Sequence, residues 1–306
     1  MPEKLLIAGG TGFIGSHLAK DAIKHGFDTI SLSLNPPTKE RKVSGVQYIL
    51  ADITNLEELE KQLPDRSIDY VVNLSGYIDH SPFLEGGRDI VTTHFAGMQN
   101  LINIIDWNKI KRFVQIGSSD EYGNHAAPQN EDMPANPISP YSFSKSASAQ
   151  LLQMLSRTES FPATILRLFL VYGPGQDNKR FLPQIIQGCL TDSTFSVSSG
   201  DQLRDFCFVD DIIDAILLSL KNDKVNGQII NLGSGKPVSI RQIIEYVQKN
   251  IGRGNPKFGK IPYRLDENME LYADVSKART LIGWEEKVSF NVGMQKTIEY
   301  YRKIYS

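Results

Sequence analysis

Residues 5–26 read LLIAGGTGFIGSHLAKDAIKHG, and this stretch decides the fold. It opens with a short apolar run of the kind that forms a buried strand. Ile14, Leu18 and Ala22 then recur at helical spacing, and Gly26 is suited to end the helix. The stretch therefore predicts a strand, a glycine-rich turn and a helix in direct succession.

Three glycines occupy the predicted turn at regular intervals, Gly9, Gly12 and Gly15. Glycine permits a tight turn, lets backbone amides approach a pyrophosphate and lets the helix lie close to the strand. The N-terminus of the helix favours the same anion. We therefore expect a nicotinamide dinucleotide here, and a packing turn without a ligand is the alternative. The expected contacts in this turn are Gly9, Thr11, Gly12, Phe13, Ile14 and Gly15.

Strand-like runs alternate with helical segments along the first half of the chain. Further strands are predicted at residues 29–34, 46–52, 70–76, 112–119 and 163–173. The alternation implies right-handed crossovers and a parallel sheet with helices on both faces. The predicted fold class is therefore α/β, with a doubly wound parallel sheet of the Rossmann type.

The pattern changes after the YGPG segment at residues 172–175. Shorter strands and helices follow, which predict a smaller C-terminal α/β lobe that binds the substrate. The predicted cofactor domain comprises residues 1–170 and 207–233, and the predicted substrate lobe comprises residues 171–206 and 234–306.

Composition narrows the classes of function. The 306 residues include 33 basic and 35 acidic side chains, and a formal net charge of −2 gives no field that would attract nucleic acid or a membrane surface. Cys189 and Cys207 stand in no metal-binding motif and are expected to be reduced thiols, so we predict no metal. The chain shows neither a signal peptide nor an apolar run of about 18 residues. These features predict a cytoplasmic protein with a small-molecule partner.

Polar residues follow two of the predicted strands. Asp52 comes after the third strand, where its carboxylate would accept a hydrogen bond from an adenine amino group, cap the next helix, or do both.

The second strand ends in Ser33 and Asn35, with Lys39 and Arg41 nearby, and lacks the carboxylate that binds a ribose 2′-hydroxyl. NADP(H) is therefore favoured over NAD. The other expected cofactor contacts lie near strand ends and are Ile53, Leu74, Ser75, Gly76, Ile116 and Leu168.

The segment SPYSFSK places Tyr141 and Lys145 four residues apart. On a helix these two side chains would project from one face, one turn apart. A neighbouring ammonium and a positive nicotinamide would lower the pKa of the phenol from its ordinary value of about 10. An incidental pair on a surface helix is the alternative. Ser118 ends the fifth strand and offers a hydroxyl at the edge where open α/β sheets bind ligands.

Eight segments, in order, resemble the extended short-chain dehydrogenase/reductases of the nucleotide-sugar epimerase, dehydratase and reductase group. They are GGTGFIG, AD after the third strand, GSSDEYG, PYSFSK, LRLFLVYGPG, RDFCFVDD, NLGSG and YRLDENMELYADVSKARTLIGW. Each segment is a modest signal, but the ordered set spans nearly the whole chain. The C-terminal half is similar to CDP-abequose synthase-like 4-ketoreductases.

The resemblance implies that Tyr141 is the catalytic acid/base and that Lys145 and Ser118 are its partners. It also implies a nucleotide-diphosphate sugar as substrate, with arginines that bind the diphosphate. The residues expected to contact this substrate are His80, Ser119, Asp120, Arg204 and Arg264. Ser119 stands where the dehydratases of the group carry a carboxylic acid, which argues against dehydration.

Three functions stay open. The first is a C4-ketoreductase, in which NADPH gives hydride to a 4-keto-6-deoxy sugar nucleotide. The second is a 4-epimerase with tightly bound NAD, and the third is a catalytically silent dinucleotide-binding protein. The chain departs from the group at Leu170 and His94, where the group often carries asparagine.

Two predicted helices carry apolar stripes. They are residues 94–107 and the helix that follows PYSFSK. Such stripes predict pairing between subunits in a homodimer, and burial in the core is the alternative.

Overall fold

The secondary structure of this computed structural model is described for residues 2–263 and 267–305. The strands are β1 (Lys4–Ala8), β2 (Asp28–Ser33), β3 (Gln47–Leu50), β4 (Tyr70–Asn73), β5 (Arg112–Ser118), β6 (Ala163–Leu168), β7 (Leu170–Tyr172), β8 (Thr194–Ser196), β9 (Leu203–Phe208), β10 (Ile229–Leu232), β11 (Pro237–Ser239), β12 (Asn255–Lys257) and β13 (Glu270–Leu271). The α-helices are α1 (Phe13–Lys24), α2 (Leu56–Gln62), α3 (Gly87–Val91), α4 (Gly97–Ile104), α5 (Pro140–Thr158), α6 (Phe181–Leu190), α7 (Val209–Leu220), α8 (Ile240–Ile251), α9 (Ser276–Ile282) and α10 (Phe290–Tyr305).

Seven parallel strands form the central sheet, in the order β10-β6-β5-β4-β1-β2-β3. The order runs in one direction from β1 to β3 and in the other direction from β4 to β10. It therefore reverses between β1 and β4, and the loops at their carboxyl ends open a crevice. The predicted doubly wound parallel sheet is confirmed.

Apolar side chains cover both faces of this sheet, which is why its strands are apolar runs in the sequence. Leu5 and Ile7 of β1 are fully buried in one core, whereas Leu6 and Ala8 are fully buried in the other. Alternate residues of a strand point to opposite faces, so this one strand contributes to both cores.

The helices pack against the sheet and against one another. Leu18 of α1 and Ile212 and Ile216 of α7 are fully buried in the same core. Within residues 2–263 and 267–305, none of the helices combines the length and the apolar character needed to cross a membrane.

A smaller sheet surrounds β9, which pairs with β11, β13 and β7. The prediction of one strand over residues 163–173 was wrong, because the chain changes sheets at Phe169. The Phe169 N–H donates to Leu232 O of β10 at 3.0 Å, while Leu170 pairs with Phe206 of β9. A single continuous apolar run thus supplies two strands in two sheets. The division of the chain into a cofactor domain and a substrate lobe stays a prediction.

A buried ion pair supports the loop after β5. Arg167 Nε and Nη2 each lie 2.9 Å from Glu121 Oε2. Glu121 Oε1 accepts a hydrogen bond from the Ser118 N–H at 2.8 Å, so the pair fixes the end of the strand. Gly117 leaves the necessary space, because a Cβ there would lie 2.6 Å from Glu121 Oε1. The carboxylate therefore depends on one guanidinium and one strand end for its stability in the interior.

Arg167→Met should lower the free energy of unfolding by about 3 to 5 kcal/mol, because it leaves the Glu121 carboxylate buried without its partner. The matched control is Arg66→Met, which removes the exposed partner of Glu60 and should cost less than about 1 kcal/mol. Urea unfolding followed by circular dichroism measures both variants. Equal losses in the two variants would show that the buried pair does not support the fold.

Candidate active site

The glycine turn brings α1 against β1 with almost no space between them. A Cβ on Gly15 would lie 2.3 Å from Gly9 O, and a Cβ on Gly9 would lie 2.8 Å from Leu74 O. Gly9 also has a φ of 81°, a left-handed conformation that glycine adopts readily. Gly12 occupies the N-cap of α1, and no side chain makes the capping hydrogen bond in the described part of the chain. The N–H groups of the first turn of α1 therefore form a site suited to an anion.

Side chains that follow β2 pack against this turn. Ser33 is buried, and its Oγ accepts a hydrogen bond from the Thr11 N–H at 3.2 Å. Arg41 Nη2 donates to Gly175 O at 2.7 Å, and its Nη1 lies 3.5 Å from Thr11 O. Asn35 is exposed. Ser33 thus stabilises the glycine turn through this hydrogen bond. Contacts of Ser33 and Asn35 with a cofactor stay predictions.

Asp52 organises the turn between β3 and α2. Its Oδ1 accepts hydrogen bonds from the N–H and the hydroxyl of Thr54, both at 2.8 Å. The cap of α2 is Asn55, whose Oδ1 accepts from the Glu58 N–H at 3.1 Å. The interpretation of Asp52 as the cap was therefore wrong, because Asn55 stands directly before the first helical residue. A contact between Asp52 and adenine stays a prediction.

The other predicted cofactor residues divide into buried and accessible groups. Ile53, Ile116 and Leu168 are buried in the cores, so only their backbones and edges are open to a ligand. Leu74, Ser75 and Gly76 form the loop after β4, and Phe13 and Ile14 begin α1 and are partly buried. All of these contacts stay predictions.

The start of α5 positions the Tyr-Lys pair. Ser139 Oγ accepts a hydrogen bond from the Ser142 N–H at 3.1 Å, and Pro140 occupies the first helical position, where no N–H is needed. Tyr141 is then 4% exposed and Lys145 is 5% exposed. The interpretation as an incidental surface pair was therefore wrong, because this face of α5 is buried.

Lys145 reaches from α5 to β5. Its Nζ donates to Ile116 O at 2.9 Å and lies 5.9 Å from the centre of the Tyr141 ring. Burial lowers the pKa of Lys145 to about 8, and the Glu121 carboxylate opposes this effect. The ammonium is therefore poorly solvated and gains from any negative charge that develops beside it.

The phenol of Tyr141 is more weakly acidic than expected. Burial raises its pKa above the ordinary value, and the negative charge of Asp120 adds to the rise, while a hydrogen bond with Ser118 opposes it. In the protein alone desolvation therefore determines the direction of the shift, and the expected lowering by Lys145 together with a positive nicotinamide stays a prediction. Tyr141 is held as a phenol, which is a proton donor.

The last residue of β5, Ser118, and Asp120 in the turn that follows lie near this phenol. Ser118 Oγ accepts a hydrogen bond from the Asp120 N–H at 3.2 Å, and Ser119 beside it is buried. Asp120 Oδ2 lies 2.8 Å from His80 Nε2, which comes from the loop after β4. Neighbouring loops of the sheet thus bring His80 and Asp120, two of the predicted substrate residues, close to Tyr141.

Two histidines flank the ring of Tyr141. The His80 ring lies 5.6 Å away, centre to centre, and the His94 ring lies 5.3 Å away on a π-helical turn between α3 and α4. His94 Nε2 lies 2.9 Å from Tyr77 O, to which it donates as a neutral imidazole. Burial and the charge of Lys145 lower the pKa of His94 from 6.5 to about 3. His94 is therefore a neutral side chain that binds Tyr77 O in the loop after β4 and packs against the ring of Tyr141.

The predicted diphosphate-binding arginines are placed differently. Arg204 is mostly buried and forms an ion pair with Glu267, and the charge of Asp120 acts on it as well. Arg264 lies outside the described residues. The positive charge of Arg180 partly opposes the rise in the pKa of Tyr141. The sequence analysis did not select Arg180, because no spacing rule connects residues on α5 with the start of α6.

In chemical terms the crevice combines a protonated phenol, a serine hydroxyl and a buried ammonium. The three belong to Ser118, Tyr141 and Lys145, and such a set moves a proton to or from a carbonyl or hydroxyl oxygen. In residues 2–263 and 267–305, no group of histidine, cysteine or acidic side chains is arranged to hold a metal ion.

The fold and the glycine turn define a Rossmann-type α/β protein with its crevice at the sheet reversal. The chain belongs to the NAD dependent epimerase/dehydratase family, whose model matches residues 5–233. The expected family is thereby confirmed.

Several relatives are similar over nearly the full chain. The UDP-glucuronate 4-epimerase of Thermodesulfobacterium geofontis is 28% identical over 309 residues, which cover 96% of this chain and 95% of that protein. The UDP-glucose 4-epimerase of Thermotoga maritima, solved with UDP-glucose, is 26% identical with a TM-score of 0.90, covering 99% of this chain and 100% of the other. MoeE5, solved with UDP-glucuronic acid and NAD, is 25% identical with a TM-score of 0.89, covering 98% and 99%.

Acidification should destabilise the wild-type protein more than the His94→Asn variant. The unfolded chain binds a proton at His94 below pH 6.5, whereas the folded chain resists protonation down to about pH 3. The stability from neutral His94 is present above pH 6.5 and is lost below it, by about 2 kcal/mol between pH 7 and pH 5. Urea unfolding at both pH values measures the difference. The control His25→Asn alters an exposed histidine and should follow the wild type, and parallel pH curves for all three proteins would contradict the assignment.

Proposed function

We propose that this chain transfers hydride at C4 of a nucleotide-diphosphate sugar and that it reduces a 4-keto-6-deoxy sugar nucleotide. The observation that carries the proposal is the buried cluster of Ser118, Tyr141 and Lys145 in the crevice of the sheet. The relatives named for reactions on UDP-sugars support the substrate class.

The residues present fit a nicotinamide dinucleotide. Gly9 and Gly15 keep side chains out of the turn, and the N–H groups at the start of α1 would hold the pyrophosphate. Such a cofactor, when bound, supplies the hydride that reaches C4 of the sugar. Tyr141 and Lys145 would lie next to its nicotinamide ribose.

The protein side of the reaction is proton donation. Tyr141 would give its phenol proton to the C4 oxygen as the ketone becomes an alcohol. The raised pKa of Tyr141 supports the reductive direction, because it keeps the phenol in its donor form. Ser118 would bind the same oxygen, and Lys145 would stabilise the phenolate that remains.

The sugar nucleotide would lie along the side of the crevice formed by the loops after β4 and β5. His80, Ser119 and Asp120 would contact the sugar, and Arg204 would share its guanidinium between Glu267 and the diphosphate. Arg264 completes the proposed diphosphate site.

NADPH is the proposed reductant. The end of β2 carries Ser33 and Asn35 and no carboxylate that would repel a 2′-phosphate. The guanidinium of Arg41 lies against the glycine turn, where it would pair with that phosphate.

A 4-epimerase is the second candidate, favoured by the names of the relatives and by the neighbour solved with NAD. It would use the same three residues, but the hydride would return to the opposite face of the same sugar. A reductase consumes NADPH and lowers the absorbance at 340 nm, whereas an epimerase converts the sugar without a net change.

We also propose a homodimer formed through residues 94–107, which include α4, and through α5. Phe143 and Met154 of α5 and Trp107 after α4 are exposed apolar side chains, which supports pairing of these helices. Analytical ultracentrifugation distinguishes the dimer from a monomer.

Arg41→Ala should weaken NADPH binding about 10-fold, because it removes a charged partner of the 2′-phosphate, and should leave NADH binding nearly unchanged. Cofactor fluorescence titration measures both affinities. Lys42→Ala, an exposed neighbour, is the control and should change neither affinity by a comparable factor. Equal losses for the two cofactors in Arg41→Ala would argue against NADPH selection by this residue.

Tyr141→Phe should lower kcat by about 100- to 10,000-fold, because the variant has no phenol proton to donate. Dinucleotide affinity should stay within a few-fold of the wild type, since the ring and its packing remain. NADPH oxidation with 4-keto-6-deoxy sugar nucleotides measures the rate, and fluorescence titration measures the affinity. Tyr70→Phe, at the opposite edge of the sheet, is the control. Full activity in Tyr141→Phe would refute the proposed acid.

A further inference from the structure

We propose that His80, oriented by Asp120, relays protons from solvent to Tyr141 between successive rounds of ketone reduction. This inference rests on the proposed reductase function, because only net reduction consumes one proton from Tyr141 in each turnover. An epimerase that returns its hydride also recovers the proton it took, and it needs no such supply.

The pair has the geometry of an oriented acid and base. His80 Nε2 and Asp120 Oδ2 are 2.8 Å apart, so the carboxylate accepts the Nε2–H and leaves Nδ1 as the exchanging nitrogen. The side chains of His80 and Asp120 are 38% and 31% exposed. Imidazole and phenol pack edge to face, at 5.6 Å and 68°. One side chain thus contacts both solvent and the buried acid.

The other groups packed around the phenol are buried and have little contact with solvent. His94 is buried, its Nε2–H is bound to Tyr77 O, and its pKa of about 3 keeps it neutral. Lys145 is buried and directs its Nζ to Ile116 O. Ser118 is 8% exposed and lies on the side where the substrate oxygen would bind. His80 is therefore the best connected route in the described part of the site.

The proton transfer balances without an additional reactant. After Tyr141 has protonated the alkoxide, a phenolate remains. The Nδ1–H bond of the protonated imidazole breaks, and the proton forms the O–H bond of Tyr141, directly or through one water. The neutral imidazole then takes a proton from solvent, and no electrons are exchanged.

Two carboxylates lie beside His80. Asp120 lies in direct contact, and Asp79 next to it in the chain interacts electrostatically with the same ring. Arg180 interacts electrostatically with Tyr141, and Arg204 interacts electrostatically with Asp120. His80 thus has a carboxylate bound to one ring nitrogen and the ring of Tyr141 packed against it, which is the arrangement a relay requires.

The test is a pre-steady-state assay of the full-length His80→Asn protein with NADPH and dTDP-, CDP- and UDP-linked 4-keto-6-deoxyglucose. The first turnover uses the proton already on Tyr141, so at saturating sugar nucleotide it should be slowed far less than the turnovers that follow, even though His80 would also contact the sugar. Later turnovers should slow by about 10- to 100-fold and appear as a burst of one NADPH per site. Free imidazole in the buffer should accelerate these later turnovers toward the wild-type rate, because it replaces the missing proton carrier.

Two further variants sharpen the test. Asp120→Asn keeps the shape of the carboxylate but orients the Nε2–H less strongly. Its later turnovers should therefore slow less than those of His80→Asn, and imidazole should accelerate them as well. His25→Asn alters an exposed histidine at the end of α1 and should show no burst and no response to imidazole. A structural role of His80 would slow every turnover equally and would not respond to imidazole.

The outcomes separate the two proposals. A wild-type steady-state rate in His80→Asn, or a loss that affects the first turnover as much as the later ones, overturns the relay and leaves the reductase function intact. Wild-type protein that oxidises NADPH with none of the three ketosugars overturns the reductase function, and the relay with it.

Discussion

The close approach of α1 to β1 is the constraint on which the rest of the structure depends. With a Cβ on Gly15 only 2.3 Å from Gly9 O, no larger residue fits where the helix meets the strand. This contact holds the start of the helix at the carboxyl edge of the sheet, and Gly12 at the N-cap leaves its first N–H groups without a side-chain cap. The sheet reverses between β1 and β4 at the same edge. The anion site and the crevice therefore coincide because of one backbone contact.

Burial gives the candidate site its chemical character. Tyr141, Lys145 and His94 are all removed from water, and each is shifted toward its neutral form. Their mutual electrostatic effects are smaller than the cost of desolvation in the protein alone. The arrangement therefore holds a proton on the phenol and keeps an ammonium ready beside it. His80 and Asp120 differ from these buried groups because their side chains are partly exposed to solvent. They lie beside Tyr141 and can connect it to solvent.

Much of the fold was predictable because local patterns agree with the tertiary structure. The strands of the central sheet, the turn at Gly9 and the family could all be predicted from short motifs in order, and the comparisons confirm the family. Residues 163–173 were predicted as one strand because their apolar pattern continues through Phe169, where the chain changes sheets. Sequence pattern carries no mark of a change of sheet when both strands are buried.

The sequence by itself determined the doubly wound sheet, the glycine turn and the one-turn spacing of Tyr141 and Lys145, since each depends on residues close together in the chain. Only the tertiary structure decided the ionisation of that pair, because burial depends on every element packed around it. It also brought His80 to Asp120, 40 residues apart, and Arg41 to Gly175, 134 residues apart. Contacts across such distances arise when the loops of different strands meet at one edge of the sheet, and no local spacing encodes them.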